Sequence, residues 1–106
     1  MQQLRVKELK ALLDSDQPAP LLLDVREPWE FEICRIEGST LLPMRQIHSA
    51  VEQMDHDRQT VVICHHGIRS RQVCVYLLQM GFTNVFNLAG GVQAWANEVD
   101  SSMPTY

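Results

Sequence analysis

The fold of this chain is decided by one segment, Thr60-Val61-Val62-Ile63-Cys64-His65-His66-Gly67-Ile68-Arg69-Ser70. Residues 60–64 are β-branched or apolar without interruption, which is typical of a strand buried on both faces of a parallel sheet. Gly67 lies in the turn that follows, and Ser70 can cap a helix running to about Met80. The segment therefore predicts a strand, a tight turn and a helix, with Cys64 at the carboxyl end of the strand.

Short apolar segments on either side extend this unit into an α/β sheet. Further strands are predicted at the start of the chain and at 21–25, 40–42 and 84–88, and helices at 4–13, after Glu27-Pro28, at 47–54 and at 90–99. Strands and helices that alternate at this spacing form βαβ units. We therefore predict one α/β domain over residues 1–106, an open parallel sheet of about five strands with helices on both faces and a tail at 98–106.

Length, composition and charge exclude several classes of protein. The 106 residues are 45% apolar and 21% charged, as in ordinary globular domains with one core. No apolar stretch approaches the ~20 residues that span a bilayer, and residues 1–10 lack the apolar core of a signal peptide. The net charge of −4 argues against nucleic acids and anionic membranes as partners. We expect a cytoplasmic location.

The cysteines and the charge distribution draw attention to the middle of the chain. Cys34, Cys64 and Cys74 are odd in number and show no pairing pattern, so we expect free thiols in a reducing compartment. Residues 58–97 contain three arginines and no acidic residue. Such a segment is expected either where an anion binds or where a buried core excludes acids.

Cys64 is a candidate nucleophile because of its place at the end of a strand. The carboxyl edge of an open α/β sheet is the usual ligand crevice, and the N–H groups at the start of the next helix favour an anion there. Arg69 and Arg71 add positive charge, so the thiolate is favoured. The alternative is that Cys64 merely packs as a small apolar residue. The glycine in the turn, Arg69 and the missing acids favour the nucleophile.

Four motifs, in this order, resemble those of single-domain rhodaneses, the thiosulfate sulfurtransferase-like proteins. They are Leu21-Leu22-Leu23-Asp24-Val25-Arg26-Glu27, Arg35-Ile36-Glu37-Gly38-Ser39, the loop from Cys64 to Ser70, and Gly90-Gly91-Val92-Gln93-Ala94-Trp95. The second stands where the family commonly has His-Ile-Pro-Gly-Ala. The resemblance covers almost the whole chain and implies the rhodanese fold.

The resemblance also implies a reaction. Cys64 would take a sulfane sulfur from thiosulfate or a similar donor, hold it as a persulfide, and pass it to cyanide or a thiol acceptor. No metal and no organic cofactor is implied. The backbone N–H groups that would cradle the outer sulfur are those of His65, His66, Gly67, Ile68 and Arg69.

Roles for the remaining motif residues follow from the same resemblance. Arg69 would also orient the loop and help to hold the sulfonate end of the donor. Asp24, Arg26 and Ser70 would support the site structurally rather than act as acid or base. Trp29 and Trp95 are expected in the core or in a groove wall.

Three other functions stay open at this stage. The chain could be a sulfur-relay module that delivers persulfide sulfur to a partner such as a sulfur-carrier protein. It could be a non-catalytic binding or sensing domain, although the intact Cys64 counts against that. Phosphatase or arsenate reductase chemistry is disfavoured because four residues separate Cys64 from Arg69, whereas related phosphatases have a loop one residue longer.

The loop departs from some sulfurtransferases in having His65 and His66 where they carry Arg or Lys. Both histidines are expected to be mostly uncharged at neutral pH, so attraction for thiosulfate should rise toward acid pH. Adjacent side chains diverge, so Cys64, His65 and His66 are poor metal ligands as a set. Cys34 is expected to be a packed core residue rather than a resolving thiol, and Cys74 to be buried and inert.

Overall fold

The computed structural model describes residues 2–106, and five parallel strands form its central sheet. The strands are β1 (Gln2–Leu4), β2 (Leu21–Asp24), β3 (Thr40–Leu41), β4 (Thr60–Ile63) and β5 (Val85–Leu88), and they lie side by side in the order β1-β5-β4-β2-β3. Every neighbouring pair is parallel. The predicted open parallel sheet of about five strands is confirmed.

Helices connect the strands, as the alternating pattern predicted. They are α1 (Val6–Leu13), α2 (Pro28–Ile33), α3 (Ile47–Ala50), α4 (Ile68–Gln79) and α5 (Gly91–Glu98). The helix predicted at 47–54 is only one α-helical turn, flanked by 3-10 turns at Met44–Gln46 and Val51–Gln53. The Ser49 hydroxyl bonds the Gln46 carbonyl there, a local bond that competes with regular helix geometry. Ile47 and Val51 still face the core, as their spacing predicted.

Two apolar cores lie on opposite faces of the sheet. Val61 and Ile63 of β4 pack in the core that contains α1 and α5, whereas Val62 packs in the core that contains α3 and α4. All four residues of β4 are buried, because a central strand of a covered parallel sheet has no solvent face. Helices therefore cover both faces, as predicted.

The start of α4 differs from the prediction. Gly67 is the residue before the helix, and its φ of 105° lies in the left-handed region that favours glycine. The helix therefore begins at Ile68, and Ser70 lies in its first turn rather than capping it. Ser70 is instead buried, with its hydroxyl pointing back toward β5.

The segment after α5 is packed against the domain. Met103 is buried in the core of α1 and α5, and Tyr106 is half-buried beside residues that follow β2 and β4. Within residues 2–106, no helix is long and apolar enough to cross a membrane.

Candidate active site

The Cys64 side chain lies at the carboxyl end of β4, buried beneath the loop that follows. The Gly67 N–H donates to Cys64 Sγ over 3.0 Å, and the Ser70 hydroxyl oxygen lies 3.2 Å from the same sulfur. The Ser70 hydroxyl donates to the Asn87 side-chain carbonyl on β5. We call residues 64–69 the Cys64 loop. Its turn aims a backbone donor at sulfur, which is an arrangement that stabilises negative charge there.

The last helix holds the Cys64 loop from the other side. The N–H groups of Val92 and Gln93, in the first turn of α5, donate to the carbonyls of Cys64 and His65 over 3.0 and 3.1 Å. A Cβ atom on Gly91 would lie 2.3 Å from the Cys64 carbonyl oxygen, so only glycine allows this approach. Gly91 of the Gly90-Gly91 motif thus allows α5 to approach the Cys64 loop closely.

Arg69 is held by a residue that the sequence analysis did not single out. Its Nη1 and Nη2 atoms donate to the two carboxylate oxygens of Glu30 on α2, over 2.6 and 2.7 Å. Glu30 is buried, and the hydrogen bonds from Arg69 are the main cause that lowers its pKa to about 2. A buried carboxylate needs such a partner. The sequence signal that could have indicated this partner is the position of Arg69 in a forty-residue stretch without acids, because its counter-ion must then come from another part of the chain.

Asp24 and Arg26 form a buried ion pair at the end of β2. Arg26 Nη2 donates to Asp24 Oδ2 over 2.8 Å and to the Cys34 carbonyl over 2.6 Å, and both side chains are inaccessible to solvent. Burial opposes the charge on Arg26, but the hydrogen bonds to Asp24 and Tyr106 raise its pKa overall. The pair fastens the end of α2 to the sheet.

Tyr106 also belongs to the site, because it contacts Glu30, Arg26 and His65, although nothing in its sequence context indicated this. Its hydroxyl donates to Glu30 Oε2 over 2.7 Å and accepts from Arg26 Nη1 over 2.9 Å. Its ring stacks on His65 with centroids 3.9 Å apart and planes 11° apart, and Trp29 meets it edge-on at 5.8 Å. Trp29 is itself 59% exposed, so it is not a core residue, whereas Trp95 is buried.

The two loop histidines lie against each other and differ in environment. Their rings stack at 4.0 Å, with His65 between His66 and Tyr106. Burial and then the neighbouring His66 lower the pKa of His65. His65 therefore stays neutral to a lower pH than an exposed histidine, and the expected gain of positive charge toward acid pH does not extend to it. Among residues 2–106, no cluster of histidine, cysteine and acidic side chains could hold a metal ion.

The other two cysteines are packed away from solvent. Cys34 is buried with its sulfur 3.8 Å from Arg26 Nη1, and Cys74 is buried within α4. Burial raises the pKa of Cys74 to about 12, so this thiol is unreactive near neutral pH. Both have the packed environment that the sequence analysis favoured.

An open cavity of about 510 Å³ lies beside the Cys64 loop, between α4 and β1. Its rim includes Ile68, which is 71% exposed, together with His66, Arg71 and Val75. No ion pair within the described residues engages Arg71. The cavity combines an apolar wall with one unneutralised cation.

Comparison with known proteins identifies close relatives. The family model described as Rhodanese-like domain matches residues 5–98. A sulfurtransferase of Allochromatium vinosum is 40% identical over 82 residues, which are 77% of this chain and 77% of that protein. The crystal structure of SSP1007 from Staphylococcus saprophyticus is 31% identical, with a TM-score of 0.84 over 93% of this chain and 97% of that one.

Other relatives are much longer proteins. The probable adenylyltransferase/sulfurtransferase MoeZ of Mycobacterium tuberculosis is 34% identical over 102 residues, which are 94% of this chain but 26% of that protein. The chain spans 26–30% of the length of the longer curated relatives that it matches.

Proposed function

The chain belongs to the rhodanese-like domain family, which includes sulfurtransferases, and we propose that it transfers sulfane sulfur as a persulfide on Cys64. The observation that carries this proposal is the Gly67 N–H placed 3.0 Å from Cys64 Sγ, beneath a loop anchored by two helices. The proposed donor is thiosulfate or a similar small anion, and the acceptor is cyanide or a thiol.

The donor step needs a thiolate and a place for negative charge on the second sulfur. The Cys64 thiolate attacks the outer sulfur of thiosulfate, the S–S bond of thiosulfate breaks, and sulfite leaves with the electron pair. The new persulfide carries its negative charge on the outer sulfur. The first N–H groups of α4 have no acceptor within the helix, so those of Ile68 and Arg69 are available to that charge.

The acceptor step removes the outer sulfur and returns Cys64 to a thiolate, so the complete cycle causes no net oxidation or reduction of the protein. Cyanide attacks the outer sulfur, the bond between that sulfur and Sγ breaks, and thiocyanate leaves as the Cys64 thiolate returns. A thiolate acceptor reacts in the same way and leaves as a persulfide. Both steps use only groups of this chain, so the proposal includes no metal and no organic cofactor.

Arg69 attracts an anion less strongly than an unpaired arginine would. Its two Nη atoms are engaged by Glu30, and the negative charge of Glu30 offsets its own. Its Nε–H makes no hydrogen bond within residues 2–106 and is free to meet the sulfonate end of the donor. We propose that Arg69 binds the donor through this edge, while Asp24, Arg26 and Ser70 support the loop.

A second candidate function is sulfur relay to a partner protein. The weakened positive charge at Arg69 disfavours a small dianion as the natural donor, and the cavity beside Ile68 and Arg71 offers a contact surface for a macromolecule. The relative MoeZ is described as a probable adenylyltransferase/sulfurtransferase, a name that combines sulfur transfer with a second activity. A sulfur-carrier protein is the proposed partner in this case. Nucleic acid and membrane remain excluded from the proposal by the acidic charge balance.

Steady-state kinetics distinguish the two candidates. A thiosulfate–cyanide sulfurtransferase should form thiocyanate with ping-pong kinetics, because the donor product leaves before the acceptor binds. A relay module should load sulfur readily but turn over slowly with cyanide. Failure to load from thiosulfate and from a cysteine persulfide would contradict both. We further propose a cytoplasmic location, where the thiols stay reduced.

A further inference from the structure

Tyr106 connects the buried ion pair of β2 to the Cys64 loop. Arg26 donates to the Tyr106 hydroxyl over 2.9 Å, and that hydroxyl donates to Glu30 over 2.7 Å. Glu30 in turn holds both Nη atoms of Arg69. A continuous chain of hydrogen bonds therefore runs from the sheet to the arginine of the loop.

The carboxylate of Glu30 is fully engaged by this arrangement. Oε1 accepts from the Glu27 N–H at 3.0 Å and from Arg69, and Oε2 accepts from Tyr106 and from Arg69. Each oxygen thus accepts two hydrogen bonds, which is the capacity of a carboxylate oxygen. Without the Tyr106 hydroxyl, one lone pair of a buried carboxylate is unmatched. The negative charge of Glu30 then offsets more of the positive charge of Arg69, and the carboxylate is less fixed in orientation.

The environment keeps Tyr106 a donor. Burial is the main cause that raises the pKa of Tyr106 to about 12, so the hydroxyl stays protonated at neutral and moderately alkaline pH. The charge of Arg26 polarises the hydroxyl and makes it a stronger donor to Glu30. Its ring lies flat on His65, the residue directly after Cys64. Met103, buried in the core, anchors the segment that carries Tyr106.

We propose that Tyr106 is a positioning residue for the reaction of Cys64 with anionic donors. Its hydroxyl disperses part of the negative charge of Glu30 and fixes that carboxylate, so that Glu30 offsets less of the Arg69 charge and the free edge of Arg69 faces an anion approaching Cys64. Its ring holds His65 in place. The role in sulfur transfer rests on the proposed function, but the effect on anions at Cys64 does not.

The test compares two alkylating reagents of similar size and different charge. Iodoacetate is an anion and iodoacetamide is neutral, so the ratio of their rates at Cys64 reports the field that an anion meets there. We expect Tyr106→Phe, which keeps the ring and removes the hydroxyl, to lower this ratio about threefold to tenfold. Tyr76→Phe, at the other tyrosine of the chain, is the matched control and should leave the ratio unchanged.

Two further measurements separate positioning from a purely structural role. A residue that only stabilises the fold would lower the melting temperature in Tyr106→Phe and leave the ratio at the wild-type value, and that result would overturn the proposal. 4-Aminophenylalanine in place of Tyr106 keeps a donor toward Glu30 and is expected to fold and to restore at least half of the lost ratio. Absence of rescue would also overturn it. Where Tyr106→Phe does not fold, the 4-aminophenylalanine variant is compared with the wild type directly, and a ratio lower than the wild-type value by about threefold or more would overturn the proposal.

Sulfur loading extends the test to the reaction. With thiosulfate, Tyr106→Phe should lower the kcat/KM of loading about threefold to tenfold. If wild-type protein takes no sulfur while the alkylation ratio still falls in Tyr106→Phe, the proposed function fails and the positioning role stands. If loading proceeds normally and neither quantity changes, the positioning role alone is wrong.

Discussion

The N–H of Val92 donates to the carbonyl of Cys64 over 3.0 Å, so the final helix of the chain grips the residue on which the proposed chemistry depends. This contact joins the start of α5 to the carboxyl end of β4. It requires the backbones of Gly91 and the Cys64 loop to lie closer than any side chain on Gly91 would allow. The geometry of the loop is therefore set by packing between backbones as well as by its own turn.

Gly91→Ala is expected to lower the free energy of unfolding by about 2–4 kcal/mol, because its new Cβ would meet two backbone carbonyls. The matched control is Gly38→Ala, where φ is also positive, at 87°, but no atom lies within 4 Å of the added Cβ. That control should cost only the left-handed backbone penalty, about 1–2 kcal/mol. Urea denaturation measures both. Equal losses would show that the close approach at Gly91 is not tight.

Arg69→Ala is expected to weaken both donor use and stability, because it leaves Glu30 buried without its cation. The loss of stability should be about 3 kcal/mol, of which part is the penalty for the unpaired carboxylate. Glu30→Gln in the Arg69→Ala background should recover some of it, whereas Glu30→Gln alone should destabilise the protein. A double-mutant cycle by thermal or urea unfolding measures this coupling. Additive effects would contradict the ion pair.

The same pair predicts how stability depends on pH. The pKa of Glu30 is lowered to about 2 in the folded protein from 4.5, so the folded state favours the ionised form. Its contribution is therefore fully present above about pH 4.5 and is lost as the pH falls toward 2, a change of about 3 kcal/mol. Glu30→Gln should flatten this acid limb of the unfolding free energy.

The control for the pH experiment is an exposed carboxylate on α1. Glu8→Gln should leave most of the acid limb in place, because this side chain is paired with Arg5 only at the surface. If Glu30→Gln loses stability with acid as steeply as wild type does, Glu30 is not the group that titrates.

Replacement of Cys34 and Cys74 together by Ala is expected to leave turnover near the wild-type rate, because both thiols are buried in the cores. The expected cost is in stability alone, and unfolding measured beside sulfur-transfer kinetics checks this. A large loss of activity in a folded double variant would assign one of these cysteines a resolving role.

The sheet and the Cys64 loop could be predicted because their determinants are local. Residues 60–64 carry an uninterrupted strand pattern, and Gly67 marks the turn that follows. The error within this segment, Ser70 as the helix cap, arose because a glycine with positive φ begins the helix earlier than a side-chain cap would. Local patterns thus located the sulfur but not every boundary.

The partners of the loop could not be predicted in the same way. Glu30 lies 39 positions before Arg69, and Tyr106 lies 76 positions after Glu30. Nothing in the nearby sequence indicates that Glu30, rather than Glu32 of the same helix, meets Arg69, and Tyr106 follows a polar segment without periodicity. Glu30 meets Arg69 because α2 packs beside the Cys64 loop, and Tyr106 meets Glu30 because the segment after α5, with Met103 buried in the core, folds back against the domain.

The most direct test of the central claim is the mass of the intact protein after incubation with thiosulfate, followed by peptide mapping and then addition of cyanide. We expect the gain of one sulfur atom on the peptide that contains Cys64, its loss to cyanide as thiocyanate, and no gain in a folded Cys64→Ser variant. A gain of sulfur that persists in Cys64→Ser, or that maps to Cys34 or Cys74, would show that Cys64 is not the residue that carries the persulfide.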